Sequence, residues 1–163
     1  MIVSAKREIE NWLQSGFAIL LLLVLLAFLP VTAVTAADES AGSLRNKSGD
    51  VLIERNGNTQ KAEEGTPVFP GDIIRTGGDG SVGIIFKDNS RISLGPDSIL
   101  NIKQFIFEPS KSRYSFVGRL LKGIASFISG KMTKLSPESV IFETPTSTIG
   151  VRGTSYHIKV SGE

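Results

Sequence analysis

Residues 49–163 are expected to fold as an all-β single domain. The sequence leaves open a β-sandwich or roll or a short β-solenoid of short strands, preceded by an N-terminal hydrophobic export helix. Three observations lead there. Val82, Ile84 and Phe86 alternate with Ser81, Gly83 and Lys87, and Ile92 and Leu94 resume the pattern after a turn. That period of two puts apolar side chains on one face of a strand. Turn residues recur about every 8 to 15 positions. No amphipathic helix pattern follows the apolar N-terminal block.

The first 37 residues stand apart. Lys6 and Arg7 precede an apolar run over residues 17–29, then Pro30, then the small residues 31–37. Basic start, apolar middle and small-residue exit are the parts of a secretory signal. Val34 and Ala36 mark a cleavage site, with Asp38 near the mature start. The alternative is an uncleaved inner-membrane anchor over 17–37. Proline followed by small residues suits a peptidase better than a spanning helix. On either reading the remainder is periplasmic or otherwise exported. Residues 38–48 are polar and aperiodic, and read as a tether to the β-domain at 49–163.

Within that domain, 51–55 reads as a strand and Asn56-Gly57-Asn58 as a hairpin turn. Residues 67–72 form a turn region leading into strand 73–76, and 77–80 turn again. Hairpin 81–94 follows, then a turn at 95–98 and a strand over 100–107. The polar break 108–113 reads as a mobile loop. Strands are expected at 114–117, 119–129, 139–144 and 150–160. Residues 117–128 admit a short helix as well. Gly118, Gly123 and Gly130 each weaken it by roughly 1 kcal/mol against alanine, so strand is preferred. Gly49-Asp50-Val51-Leu52 echoes Gly71-Asp72-Ile73-Ile74, as two equivalent turn-into-strand corners would.

Composition removes several functions. Eighteen basic residues against sixteen acidic give a net charge of +2 without a basic cluster, which argues against nucleic acid. The absence of cysteine removes disulfides, thiolate metal sites and cysteine nucleophiles. His157 is the only histidine, and strand parity points it outward. Asp72, Asp79, Asp88 and Asp97 sit in separate turns, where aspartate caps its own backbone. Ser126, Ser129 and Ser136 lack a nucleophile elbow, and no carboxylate couple stands out. No enzymatic activity, metal or cofactor is expected.

The stretch "TPTSTIGVRGTSY" over 144–156 decides most. A phosphate loop needs a lysine and a following helix, but this stretch leads into the alternating strand Tyr156-His157-Ile158-Lys159-Val160. Arg152 and Thr154 share the parity of Tyr156 and Ile158. Arg152 is therefore expected inside, bonded to backbone carbonyls or to an acid such as Glu143 or Asp72, because a buried guanidinium must be paired. A bulge at Gly153 would expose it instead. Thr146, Ser147 and Thr148, after Pro145, form a candidate edge for strand addition. Residues 110–113 offer a contact loop, and Tyr114 is the one candidate exposed ring.

"EGTPVFPGDIIRTGGDGSVGIIFKDNSRISLGPDSILNI", "LLKGIASF" and "FETPTSTIGVRGTSYHI" resemble the FecR domain, named for the periplasmic sensory part of iron-dicitrate-type regulators. The residues that carry the resemblance are Gly71 and Asp72 with Thr76, and Phe86, Asp88 and Ser90. Leu94 with Ser98 follow, then Pro145 with Gly150, Val151, Arg152, Gly153 and Thr154. The resemblance covers roughly residues 48–160. It implies an all-β periplasmic module without enzymatic activity that passes a signal between proteins. The segment before the apolar block, about fifteen residues, is too short to fold as a sigma-factor-binding domain. A stand-alone envelope module for sensing or protein binding is therefore expected, with another envelope protein as partner. Membrane contact would come only through an uncleaved N-terminal segment. The alternative is a module that binds peptidoglycan or surface polysaccharide.

Overall fold

Alternation becomes strand pairing wherever a turn closes it. The computed structural model describes residues 39–151, 153 and 155–161. Asn56 and Gly57 take φ of 51° and 78°, the two positive values that a two-residue hairpin of matching twist requires. They join β2 (Val51–Arg55) to β3 (Asn58–Lys61), with Arg55 opposite Asn58. A second turn joins β6 (Ser81–Phe86) to β7 (Arg91–Leu94). Val82, Ile84, Phe86, Ile92 and Leu94 are buried, while Arg91 and Ser93 are exposed. The face expected inside is the face found inside.

The remaining strands are β1 (Gly42–Ser48), β4 (Pro67–Val68), β5 (Ile73–Thr76) and β8 (Ile99–Glu108). Then come β9 (Arg113–Ile128), β10 (Val140–Glu143), β11 (Thr148–Gly150) and β12 (Ser155–Val160). All twelve strands of the described residues belong to one sheet, with the main order β3-β2-β5-β8-β9-β7-β6-β1-β4. Strand β9 is its axis. The first part of β9 lies between β8 and β10, and the last part between β7 and β12. Gly123 separates the two parts. Its φ is +92°, and a Cβ there would fall 2.5 Å from Ser98 Cα. Glycine alone permits both the backbone angle and the approach.

The sheet therefore curls into a half-barrel with two halves. The β8 half holds β3, β2, β5, β8, the start of β9, β10 and β11. The β7 half holds β4, β1, β6, β7, the end of β9 and β12. Their inner faces meet through aromatic rings. Phe86 lies 5.3 Å from Phe116, and Phe127 lies 5.2 Å from Phe142. All four are buried, and each stabilises the fold by about 1.5–3 kcal/mol.

The all-β expectation holds over the described residues, and the 113–128 segment is strand. Four details need correction. The strands are not uniformly short, since β8 has 10 residues and β9 has 16. Residues 108–113 are the tip of the β8–β9 hairpin, a single 3-10 turn at Pro109–Lys111 with Glu108 opposite Arg113. The tether ends earlier than expected, because Gly42–Ser48 form β1, paired with β6 and β4. Leu44 is fully buried there, so one inward side chain replaces a longer alternation. A short helix, Lys131–Leu135, was not expected. The Asp88 carboxylate fixes its start by accepting from Met132 N at 3.2 Å. The export segment 1–37 lies outside the described residues.

Candidate functional site

The residues that carry the FecR resemblance first have to be divided into those that fold the chain and those left free. Asp72 is fully buried. Its carboxylate accepts from Arg55 Nε at 2.7 Å and Arg55 Nη2 at 2.8 Å, and from Phe69 N at 2.8 Å. Arg55 also donates to the Pro67 carbonyl at 2.9 Å and lies 4.3 Å from the Phe69 ring centroid. The hydrogen bond to Asp72 raises the Arg55 pKa above its ordinary value, against the opposing effect of burial. Beside it, Gly71 takes φ +92° and donates its amide to the Ile102 carbonyl at 2.6 Å.

Asp88 is also buried. One carboxylate oxygen accepts from Ser90 N at 3.0 Å and Ser90 Oγ at 2.6 Å. Thr76 and Ser98 work the same way. Thr76 Oγ1 accepts from Ser98 N at 2.9 Å and donates to the Gly95 carbonyl at 2.7 Å. Ser98 Oγ accepts from Ile124 N at 2.9 Å, next to the bend at Gly123. These side chains are spent on backbone groups that turns leave unpaired. They are architecture.

Asp72 was one of two acids expected to hold Arg152. Its partner is Arg55. The other, Glu143, has Lys103 at 3.0 Å and Arg119 at 4.0 Å. Arg152 and Thr154 lie outside the described residues. A signal for Arg55 was present in the Gly-Asp echo. The two echoing strands pair antiparallel, Glu54 opposite Ile73. One step further along that register sets Arg55 against Asp72.

The groups left accessible gather at one place. The β10–β11 hairpin and β12 both hang from the same side of β9, with Leu121 between them. An open groove of about 770 Å³ separates them, lined by Pro145, Thr146, Ser147 and Ile149 on one wall and by residues 157–161 on the other. The hairpin turn is tight, with Thr144 N donating to the Ser147 carbonyl at 2.8 Å and Ser147 N to Thr144 Oγ1 at 3.0 Å. Thr146, Ser147, Thr148 and Gly150 are exposed, as is Gly153 with φ +135°. His157 points outward and Ile158 inward, as parity requires. Tyr114 is not at this groove. It is half-buried on β9 and packs 5.9 Å from Phe107, so it is not the open ring the sequence suggested.

Strand β11 pairs only with β10 among the described residues. The Ser147 carbonyl and the Val151 amide bond to residues on the β10 side. Strand alternation then turns the amides and carbonyls of Thr148 and Gly150 the other way. The inner wall of the region is set by Tyr156, whose ring lies 5.1 Å from Phe127 and 5.6 Å from Phe142. Its hydroxyl is buried without a partner among the described residues, and burial pushes the phenol pKa up. Among the described residues, no three His, Asp or Glu side chains come together to hold a metal ion.

Residues 72–163 match the model of the family described as FecR protein. Among solved structures, one named "Cell surface anchoring domain" is 35% identical, over 37% of this chain and 82% of that one, with a TM-score of 0.36. No curated protein matches.

Proposed function

This chain belongs to the FecR family, and from that premise we propose that its β-domain is a non-catalytic protein-interaction module of the cell envelope. In this reading the segment at 17–37 carries the domain out of the cytosol, and another envelope protein adds a strand to β11. One observation carries the reading: the outward amides and carbonyls of Thr148 and Gly150, beside the open groove. Unpaired strand edges recruit extended segments, and the neighbouring groove accommodates the alternate side chains of the guest.

The chemistry of the groove favours binding. Its walls carry hydroxyls, Lys159 and His157, and no acid lines it among the described residues. A nucleophile–base–acid relay has no third member there among the described residues. The polysaccharide alternative relied on Tyr114 as a stacking platform, and that ring is packed against Phe107.

The test is a photo-crosslinker placed at Thr146 in the full chain, in cells. A discrete protein adduct is expected, and Thr148→Pro should abolish it. Proline removes an outward amide while leaving the β10 ladder alone. An adduct that persists undiminished in the Thr148→Pro variant would refute strand addition.

A further inference from the structure

The outer face of the β7 half carries a chemistry that the strand-edge reading touches only at His157 and Lys159. Five strands lie side by side there, β12, β9, β7, β6 and β1. Their registers align outward side chains in rows across the sheet. In one row Ile128 stands opposite Arg91, and Arg91 opposite Ile85. In the next, His157, Ser126, Ser93 and Gly83 follow one another, ending at Arg45. In a third, Lys159 stands opposite Ile124.

Two properties of this face coincide. Its charged side chains are of one sign among the described residues: Arg91, Lys159 and Arg45 are exposed, and no acid occupies the rows. Arg45 approaches Glu64 at 4.0 Å at the rim, while Arg91 and Lys159 have no ion pair among the described residues. Its apolar side chains are also unusually open, Ile124 at 43% and Ile128 at 48% exposure. The middle row is low, because serine and glycine occupy its centre. It forms a shallow trough about 19 Å long across the strands, with isoleucine and cations on both walls.

We infer that this trough docks an acidic, partly apolar segment of a partner protein. Charge complementarity sets the acid content, since unpaired cations of one sign steer and select anionic groups. The three isoleucines set the apolar content. A second copy presenting the same face would bring cations against cations. A bilayer surface is favoured by interfacial Trp or Tyr, and neither occurs on these rows. The trough runs across the strands on an outer face and shares His157 and Lys159 with the groove beside β11, while Arg91, Ile124 and Ile128 belong to the trough and not to the groove lining.

The test uses the full chain in neutral detergent and a fluorescein-labelled peptide of sequence Glu-Glu-Leu-Leu-Glu-Glu-Leu-Leu, read by anisotropy. Binding is expected, weakening as salt rises from about 0.01 M to about 0.15 M. Arg91→Glu combined with Lys159→Glu should reduce affinity at least about tenfold. Ile124→Ser should weaken the peptide while leaving poly-glutamate binding unchanged. Thr148→Pro should leave the peptide bound, which separates this surface from the strand edge. An inert charge-reversal variant overturns the inference, and so does absence of peptide binding. Binding confined to phosphatidylglycerol vesicles or to polygalacturonate also overturns it, in favour of a lipid or sugar partner.

Discussion

The two outer faces of one curled sheet are finished differently. On the β8 half, several charges answer each other, although Lys61 and Lys122 on the same face have no ion pair among the described residues. Glu54 pairs with Arg75 at 3.2 Å, and Glu143 takes Lys103 at 3.0 Å and Arg119 at 4.0 Å. On the β7 half, Arg91 and Lys159 stand among serines and isoleucines without an answering acid among the described residues. Exposed ion pairs are worth about 0–1 kcal/mol each, so the difference is not one of stability. It separates a face that carries acids of its own from one on which Arg91 and Lys159 have none beside them among the described residues.

The comparison requires that both faces belong to one sheet bent at Gly123. Gly123→Ala tests it with the largest expected effect. The new Cβ would fall 2.5 Å from Ser98 Cα and 2.7 Å from Ser98 Cβ, at a φ of +92°. Relief requires moving the backbone of the 95–98 turn. A loss of about 4 kcal/mol is expected in urea unfolding, at the high end for a single substitution. A variant that unfolds at the wild-type midpoint would mean that the two halves are not joined by this bend.

Next in size is a contrast within the β8 half, where a pair with a fully buried acid and a half-exposed pair differ in what they are worth. Arg55→Ala leaves the Asp72 carboxylate fully buried without its guanidinium. A cost of about 3 kcal/mol is expected. Arg75→Ala, which breaks the half-exposed pair with Glu54, should cost no more than about 1 kcal/mol. The sign with pH follows from the raised Arg55 pKa. A raised pKa contributes stability below the ordinary guanidinium value, and loses it only as pH climbs through the folded one. The Arg55 contribution should thus be constant across neutral pH. Equal losses for the two variants would remove the distinction between pairs that fold the chain and pairs that only neutralise its surface.

What could be read in advance follows the same division between local and distant causes. The hairpins at 51–61 and 81–94 were legible because alternation and turn residues lie within a few positions of each other. The parity of Tyr156, His157 and Ile158 was legible for the same reason. Strand β9 was legible as a strand, because glycines at 118, 123 and 130 argue against a helix. Its double role was not, since it depends on Ser98 meeting Gly123 across 25 residues. Strand β1 has a single fully buried leucine and offers no period to detect. The short helix at Lys131–Leu135 is fixed by Asp88, which is 44 residues away from Met132. At the candidate site, of the edge expected at 146–148 only Thr148 lies in a strand, β11, while Thr146 and Ser147 form the turn before it, because the proline and hydroxyl residues that punctuate the chain mark a turn as readily as an edge. The groove beside them was not legible, because β12 reaches it only through antiparallel pairing with the end of β9.

The smallest expected effect tests whether the inner and outer faces of β12 act independently. Tyr156 faces the aromatic core, while His157 and Lys159 on the same strand face outward. The Tyr156 hydroxyl is buried with no hydrogen bond among the described residues. Removing an unpaired buried polar atom while keeping the ring restores no lost bond and removes a desolvation cost. Tyr156→Phe should therefore leave stability unchanged or raise it by up to about 1 kcal/mol, with peptide binding at the outer trough untouched. The raised phenol pKa gives a second readout. Tyr156 should contribute no phenolate absorbance as pH rises through the ordinary tyrosine range, and ionise only when alkaline unfolding exposes it. A clear loss of stability in Tyr156→Phe would mean that the hydroxyl has a partner.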